Sequence, residues 1–171
     1  IDLRSDNPDD VDPEDRIAVA LAKAPELAKE IEDNLLARNY QQTVVFGYHV
    51  EPLKALGEIL TAAGYDVCVI TGATPLKQRE NKLAAFKAGV CQVLICQMIA
   101  AGTAIDLSAA QHGYFLELDY VPDNNAQAAH RLVNMATGLP VTFDVLTWPG
   151  TKDDQVQRTL LRKVRGAVFK S

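Results

Sequence analysis

Apolar residues in this chain fall into short unbroken runs, separated by longer stretches with helical spacing. The runs are residues 43–46 (TVVF), 66–71 (DVCVIT), 92–96 (QVLIC), 114–118 (YFLEL) and 141–146 (VTFDVL). Continuous apolar runs of this length predict strands buried on both faces. Between the first two, Leu53, Leu56, Ile59 and Leu60 recur at helical spacing within residues 52–63, and Gly64 predicts the C-cap. Thr74 and Pro75 predict the start of another helix, with Leu83 and Phe86 on one face and an end near Gly89. Upstream, Asp12-Pro13 predicts a helix start, with the helix running to about Arg38. Residues 124–135 read as helical and are stopped by Gly138-Leu139-Pro140. Pro149-Gly150 turns the chain, and residues 151–170 read as a last helix. Strands alternating with helices predict an α/β fold, a parallel sheet covered on both faces by right-handed crossovers. Ligands of such sheets bind beyond the carboxyl ends of the strands. Here those ends are residues 47–51, 72–75, 97–107, 119–124 and 147–150.

Composition adds bounds. The chain has 171 residues, 48% hydrophobic and 23% charged, which suits one buried core and excludes a disordered chain. No apolar run approaches the ~20 residues of a membrane span, so no membrane partner is expected. The start at Ile1, without a basic-then-apolar leader, reads as a piece of a longer chain lacking a signal peptide. Cys68, Cys91 and Cys96 are odd in number and sit on apolar segments, which predicts reduced core thiols in a cytoplasmic protein. The Cys91–Cys96 spacing and the scattered His49, His112 and His130 do not suit zinc, so no metal site is expected.

The net charge of −5 argues at first against a nucleic-acid partner, but it is a poor average. Residues 1–15 carry seven acids against Arg4, a balance of −6, and residues 158–171 carry five bases and no acid. Residues 1–12 are expected to be an acidic, disordered leader. The basic tail is expected either to be a solvated helix or to lie near phosphates.

Familiar nucleotide signatures are absent. There is no Gly-x-x-x-x-Gly-Lys-Ser/Thr loop, no Gly-x-Gly-x-x-Gly after the first strand and no Gly-x-Ser-x-Gly elbow. A nucleoside triphosphate site would therefore need a second domain to complete it.

The order of smaller motifs then becomes informative. Thr43-Val-Val-Phe-Gly-Tyr-His49 precedes an amphipathic helix; Ile70-Thr-Gly72 is followed by Gln78-Arg79 and Phe86. Val93-Leu-Ile-Cys leads to Ala100-Ala-Gly-Thr-Ala-Ile-Asp-Leu-Ser-Ala-Ala110, and Asp119-Tyr-Val-Pro122 follows the fourth run. Gln127-Ala-Ala-His-Arg131 precedes Pro140-Val-Thr. In this order and spacing the pieces resemble motifs IV, V and VI of the second RecA-like lobe of superfamily 2 helicases of Swi/Snf type, closest to the annealing-helicase (SMARCAL-like) branch. The resemblance covers residues 42–163, within a domain expected to span 13–171.

The resemblance implies a RecA-like, three-layer α/β sandwich with a mostly parallel sheet, related to P-loop NTPases. It implies an ATP-dependent DNA translocase whose first lobe holds most of the ATP and Mg²⁺. Arg131 and Gln127 take catalytic roles in that reading. Gly102, Asp106 and Arg131 line the ATP site, and Gly72, Arg79 and Gln97 meet double-stranded DNA. The partner is the N-terminal helicase lobe of the same parent chain. The residues admit such roles on their own chemistry. Small residues at 100–104 let backbone amides approach a phosphate or sugar, Asp106 suits a ribose hydroxyl, and a planar guanidinium suits a γ-phosphate. Without the resemblance, Arg131 reads as a surface ion pair, and for residues 100–110 a tight packing turn stands as an alternative. For Arg79 a structural ion pair stands beside DNA contact, and His49 and His130 read as hydrogen-bonded structural histidines.

Two departures matter. The family's second motif VI arginine is replaced by Asn134, and Ala104 stands where motif V has Gly. An arginine finger contributes on the order of 10³–10⁵ in rate, so a catalytically weak or inactive helicase-like binding module is the alternative. A flavodoxin-like or Rossmann-like nucleotide binder is a further alternative, poorly served by Tyr48-His49-Val50-Glu51. The expected setting is cytoplasmic, in a bacterial, phage or nucleoid-associated context.

Overall fold

In the computed structural model, the described residues are 15–37, 42–98, 107, 110, 112–119, 121–131, 141–146, 148, 150–151 and 167–170. The elements run α1 (Arg16–Ala37), β1 (Thr43–Gly47), α2 (Val50–Ala62), β2 (Val67–Ile70), α3 (Leu76–Lys87), β3 (Val93–Gln97), β4 (His112–Phe115), α4 (Pro122–His130), β5 (Val141–Val145) and β6 (Ala167–Lys170). The six strands form one sheet in the order β2-β3-β1-β4-β5-β6, and every pairing is parallel.

The chain steps from the central β1 to the edge strand β2, then back to β3 and across to β4. This reversal puts α2 and α3 on opposite faces, as right-handed crossovers require. Ala20, Ala24, Leu27 and Ile31 of α1 and Leu53, Leu56 and Leu60 of α2 pack on one face, against Val45, Val93, Ile95 and Tyr114. Phe86 of α3 and Ala128 and Ala129 of α4 pack on the other, against Val44, Phe46, Leu94, Cys96, Phe115 and Phe143. The result is the expected three-layer sandwich. Gly57 allows α2 to press on the sheet, since a Cβ there would sit 3.1 Å from Val69 Cγ2.

The expected cap at Gly64 is present, and Gly89, near which the next helix was expected to end, caps it in the same way. Gly64 and Gly89 adopt φ of 96° and 80°, open to glycine alone at little cost. At α2, Tyr65 N–H donates to the Leu60 carbonyl and Gly64 N–H to that of Thr61; at α3, Val90 N–H donates to Ala85 and Gly89 N–H to Phe86. This is the Schellman pairing, and it ends both helices sharply.

Boundaries differ where polar chemistry overrides pattern. Asp15 caps α1, accepting from Ala18 N–H at 3.0 Å, whereas Asp12, Pro13 and the acidic leader lie outside the described residues. Helix α2 begins at Val50, two residues before the expected start; Pro52 is tolerated because first-turn amides have no intrahelical partner. Helix α4 begins at Pro122 rather than residue 124, with Pro in its first turn. The fourth strand is His112–Phe115, not residues 114–118. The expected last helix is corrected at its end, where Ala167–Lys170 is a sixth strand along β5. Val168 and Phe169 follow Gly166 there; β-branched and aromatic residues beside a strand edge favour pairing.

The outer edge at β2 is guarded. Lys82 of α3 donates Nζ to the Val69 carbonyl at 2.7 Å, occupying an acceptor on the edge strand.

Candidate functional site

The carboxyl ends of β2, β3, β1 and β4 are tied by side chains. Gln97, the last residue of β3, accepts at Oε1 from Gly72 N–H at 2.8 Å and donates through Nε2 to the Tyr48 carbonyl at 3.0 Å. One amide thus fixes the loops after both β2 and β1. Thr74 Oγ1 accepts from Thr71 N–H at 2.9 Å, shaping the turn into α3. Arg79 directs Nη2 at the Thr71 and Thr74 carbonyls, 3.4 and 3.5 Å away. Its Nε is buried and takes no hydrogen bond. Burial pushes the Cys96 thiol up to about 12, and the nearby Arg79 guanidinium pulls the other way.

Gly72, Arg79 and Gln97, expected to meet nucleic acid, are therefore gathered at one corner. Gly72 is exposed; the Gln97 amide is engaged by backbone on both sides. Arg79 meets carbonyl oxygens rather than a carboxylate among the described residues.

The other half of this edge is built on buried polar groups. His49 Nδ1 lies 2.7 Å from Glu117 Oε2, and the His49 N–H donates to Glu117 Oε1 at 2.9 Å. Glu117 is 1% exposed and His49 27%, so a buried carboxylate is satisfied by two donors from the next loop. His49 is thus the hydrogen-bonded loop histidine expected from the sequence. Its ring meets Tyr48 edge-on at 4.8 Å, and Arg16 stacks 5.2 Å from the Tyr48 centroid. Arg16 also donates to the Leu118 carbonyl. Lys23, fully buried, donates Nζ to the Leu116 carbonyl at 2.5 Å and the Leu146 carbonyl at 2.8 Å. Asn34 Nδ2 donates to Tyr114 Oη at 2.6 Å. Three side chains of α1 thus step along β4 and the residues beyond it.

Beyond β4, Asp119 and Asn125 hold the start of α4. Asp119 N–H donates to Asn125 Oδ1 at 2.7 Å and Asn125 Nδ2 to the Asp119 carbonyl at 2.9 Å. Asp119 Oδ1 accepts from Val121 N–H at 2.9 Å, and Oδ2 from Asn124 Nδ2 at 3.0 Å. At the other end of α4, Arg131 is the C-cap, and its carbonyl accepts from Leu107 N–H at 3.0 Å. That bond joins the helix to the stretch following β3. Arg131 Nε, like Arg79 Nε, is buried without a hydrogen-bond partner. Gln127 is exposed on α4. Gly102, Ala104, Asp106 and Asn134 lie outside the described residues.

Sequence reasoning missed Glu117, Lys23, Arg16 and the Asp119–Asn125 pair. Two of them carry a visible signal. Glu117 interrupts the apolar run YFLEL, and Lys23 stands alone in the alanine-rich AVALAKA. A lone charge in an apolar run implies a buried, partnered group. Among the described residues no group of His, Cys, Asp or Glu could hold a metal ion, and no helix is long and apolar enough to cross a membrane.

A profile described as the helicase conserved C-terminal domain matches residues 23–135. This chain belongs to that family. The match begins inside α1, at the buried Lys23, and extends four residues beyond Arg131. Among curated relatives, a SWI/SNF-related matrix-associated actin-dependent regulator of chromatin, subfamily A-like protein 1, from Drosophila melanogaster is 27% identical over 129 residues. That alignment covers 75% of this chain and 17% of the fly protein. The chromatin-remodeling ATPase INO80 of Neurospora crassa is 24% identical over 144 residues, covering 84% of this chain and 7% of the relative. The C-terminal part of the Fun30 ATPase domain, a crystal structure, superposes with a TM-score of 0.72 at 19% identity, covering 84% of this chain and 46% of that one. The chain therefore spans a small part of its curated relatives. The family match and the superposition agree with the α/β fold described above. The expected cytoplasmic, bacterial or phage setting is corrected: these relatives are chromatin proteins of a fly and of filamentous fungi.

Proposed function

We propose that this helicase C-terminal domain is the second motor lobe of a DNA-dependent ATPase of Swi/Snf type. It completes an ATP site with an N-terminal lobe of the same parent chain and contacts duplex DNA. The observation that carries this reading is the match of residues 23–135, which include Gln127 and Arg131, to the helicase C-terminal domain. A guanidinium so placed suits a γ-phosphate presented by another lobe. Arg131 and Gln127 act on that phosphate, with Gly102 and Asp106 on the nucleotide side. ATP and Mg²⁺ are held mainly by the other lobe, where the metal neutralises charge on the phosphates. Gly72, Arg79 and Gln97 form the DNA corner.

Asn134 favours a second reading, a lobe that grips DNA with weak or no turnover, because a neutral amide cannot replace a guanidinium. The isolated chain is expected to hydrolyse no ATP; hydrolysis by a clean preparation contradicts the two-lobe reading. In the intact parent, Asn134→Arg separates the two readings. A gain in DNA-stimulated turnover supports the weak-turnover lobe. Normal turnover without any gain supports the full motor.

A further inference from the structure

The sheet reverses its winding between β1 and β4. After β1 the chain leaves towards β2 and β3, and after β4 it leaves towards β5 and β6. These two strands are neighbours, so their carboxyl ends flank the crevice where the two halves of the fold part. Helix α2, which follows β1, packs on one face of the sheet, and α4, which follows β4, on the other. In open α/β sheets ligands bind at this switch point. His49, two residues beyond β1, and Glu117, two residues beyond β4, bridge it.

The bridge leaves one ring nitrogen for a ligand. Glu117 is 1% exposed; its Oε1 accepts from the His49 N–H at 2.9 Å, and its Oε2 lies 2.7 Å from Nδ1. A carboxylate can only accept, so Nδ1 carries a hydrogen. That bond sets the state of the other nitrogen: Nε2 is a bare acceptor when the ring is neutral and a donor only when it is protonated. Nε2 has no partner among the described residues and is open to solvent, the side chain being 27% exposed.

The titratable and charged groups around the ring come from each neighbouring element. Glu117 approaches from the loop after β4. Tyr48 meets the ring edge-on at 4.8 Å, and Arg16 of α1 lies 5.2 Å from the Tyr48 centroid. Glu51 is exposed in the first turn of α2. The bridge is continuous with the corner of Gly72, Arg79 and Gln97. Gln97 Nε2 donates to the Tyr48 carbonyl at 3.0 Å, and its Oε1 accepts from Gly72 N–H at 2.8 Å.

We propose that His49 is a proton-gated contact to a phosphate oxygen of nucleic acid, with Glu117 as the positioning residue that makes the contact depend on pH. The inference rests on the DNA-contact reading above and adds to it a residue and a means of regulation. With the ring protonated, Glu117 holds Nδ1–H and Nε2–H donates to the phosphate in a charge-assisted bond. Once the ring loses that proton, Nε2 is an acceptor beside a phosphate oxygen that also only accepts, and the contact is lost.

The test measures the affinity of the folded chain for a short DNA duplex against salt, at about pH 5.5 and about pH 8, either side of the range in which imidazoles ordinarily titrate. Each further neutralised phosphate steepens the slope of log K against log salt by about 0.9. The wild-type slope is expected to be steeper by about that amount at the lower pH. His49→Gln is expected to keep the shallower slope at both pH values. Glu117→Gln retains an acceptor for the His49 N–H but offers Nδ1 an amide donor, so Nε2 carries the hydrogen of a neutral ring and the slope no longer changes with pH. Circular dichroism checks that both variants fold. His130, exposed at the end of α4, is the control, and His130→Gln is expected to preserve the wild-type difference. Salt-sensitive binding whose slope is equal at the two pH values overturns the inference and leaves the DNA reading standing. So does a difference that survives in His49→Gln or vanishes in His130→Gln. Absence of salt-sensitive binding at both pH values overturns the DNA reading and the inference with it.

Discussion

The two halves of the sheet are built on different chemistry. In the β2–β3–β1 half the strands are nearly all apolar, and the buried polar residues are Thr43 and Thr71. In the β4–β5 half, with α1 lying across it, Lys23, His112, Glu117, Asp119 and Asn125 are all buried. The first half takes its stability from area removed from water, which tolerates imprecision. The second depends on each buried donor and acceptor finding its partner, because an orphan there costs the full desolvation of the group. Across neighbouring strands, His112 Nε2 lies 2.8 Å from Asp144 Oδ2. The half without buried charge among the described residues carries the corner of Gly72, Arg79 and Gln97, and the half rich in it adjoins Asp119 and α4.

The contrast is sharpest at Lys23. Lys23→Met keeps the volume but leaves the Leu116 and Leu146 carbonyls without their ammonium. It is expected to cost about 4 kcal/mol in chemical denaturation, whereas Leu27→Met, one turn on along the same helix, should cost under about 1.5 kcal/mol. Equal costs would erase the distinction between the halves. Asn125→Ala removes both bonds to Asp119 and is expected to cost about 2 kcal/mol. Hydrogen exchange should locate the loss in the first turn of α4, and uniform loss across the sheet would contradict a local role.

The apolar half has its own signature in pH. Burial raises the folded Cys96 thiol from 9.0 to about 12. The unfolded chain therefore releases this proton first, so the contribution is fully present below pH 9 and is lost as pH rises towards 12. Cys96→Ala should flatten the alkaline decline relative to wild type by up to about 1.4 kcal/mol per pH unit. An unchanged decline between the two proteins would show that the thiol is not buried as described.

The same division sets what the sequence could reveal. TVVF and VLIC give β1 and β3 nearly to the residue, because unbroken apolar runs have one reading in a parallel sheet. The caps at Gly64 and Gly89 were equally legible, since a left-handed residue after a helix asks for glycine. The run YFLEL misplaced β4 because His112 and Gly113 do not look like strand residues. Leu116 and Leu118 are apolar, yet they lie in a loop pinned by Lys23, Arg16 and, through Glu117, His49. No local pattern announces a carbonyl held by a lysine 93 residues earlier. At the site, motif order placed Gly72, Arg79 and Gln97 together. That the Gln97 amide would be engaged by backbone depended on two loops distant in sequence. The last strand was hidden because its basic neighbourhood reads as a solvated helix.

The corner of Gly72, Arg79 and Gln97 is proposed to meet a phosphate backbone. The most direct measurement is the affinity of the isolated chain for a short DNA duplex across a series of salt concentrations, for wild type and Arg79→Ala. Each phosphate contact contributes about 0.9 to the slope of log K against log salt. Weak, salt-sensitive binding is expected, with a slope smaller by about one contact in Arg79→Ala. A wild-type affinity that does not fall with salt, or an Arg79→Ala slope equal to that of wild type, would contradict it.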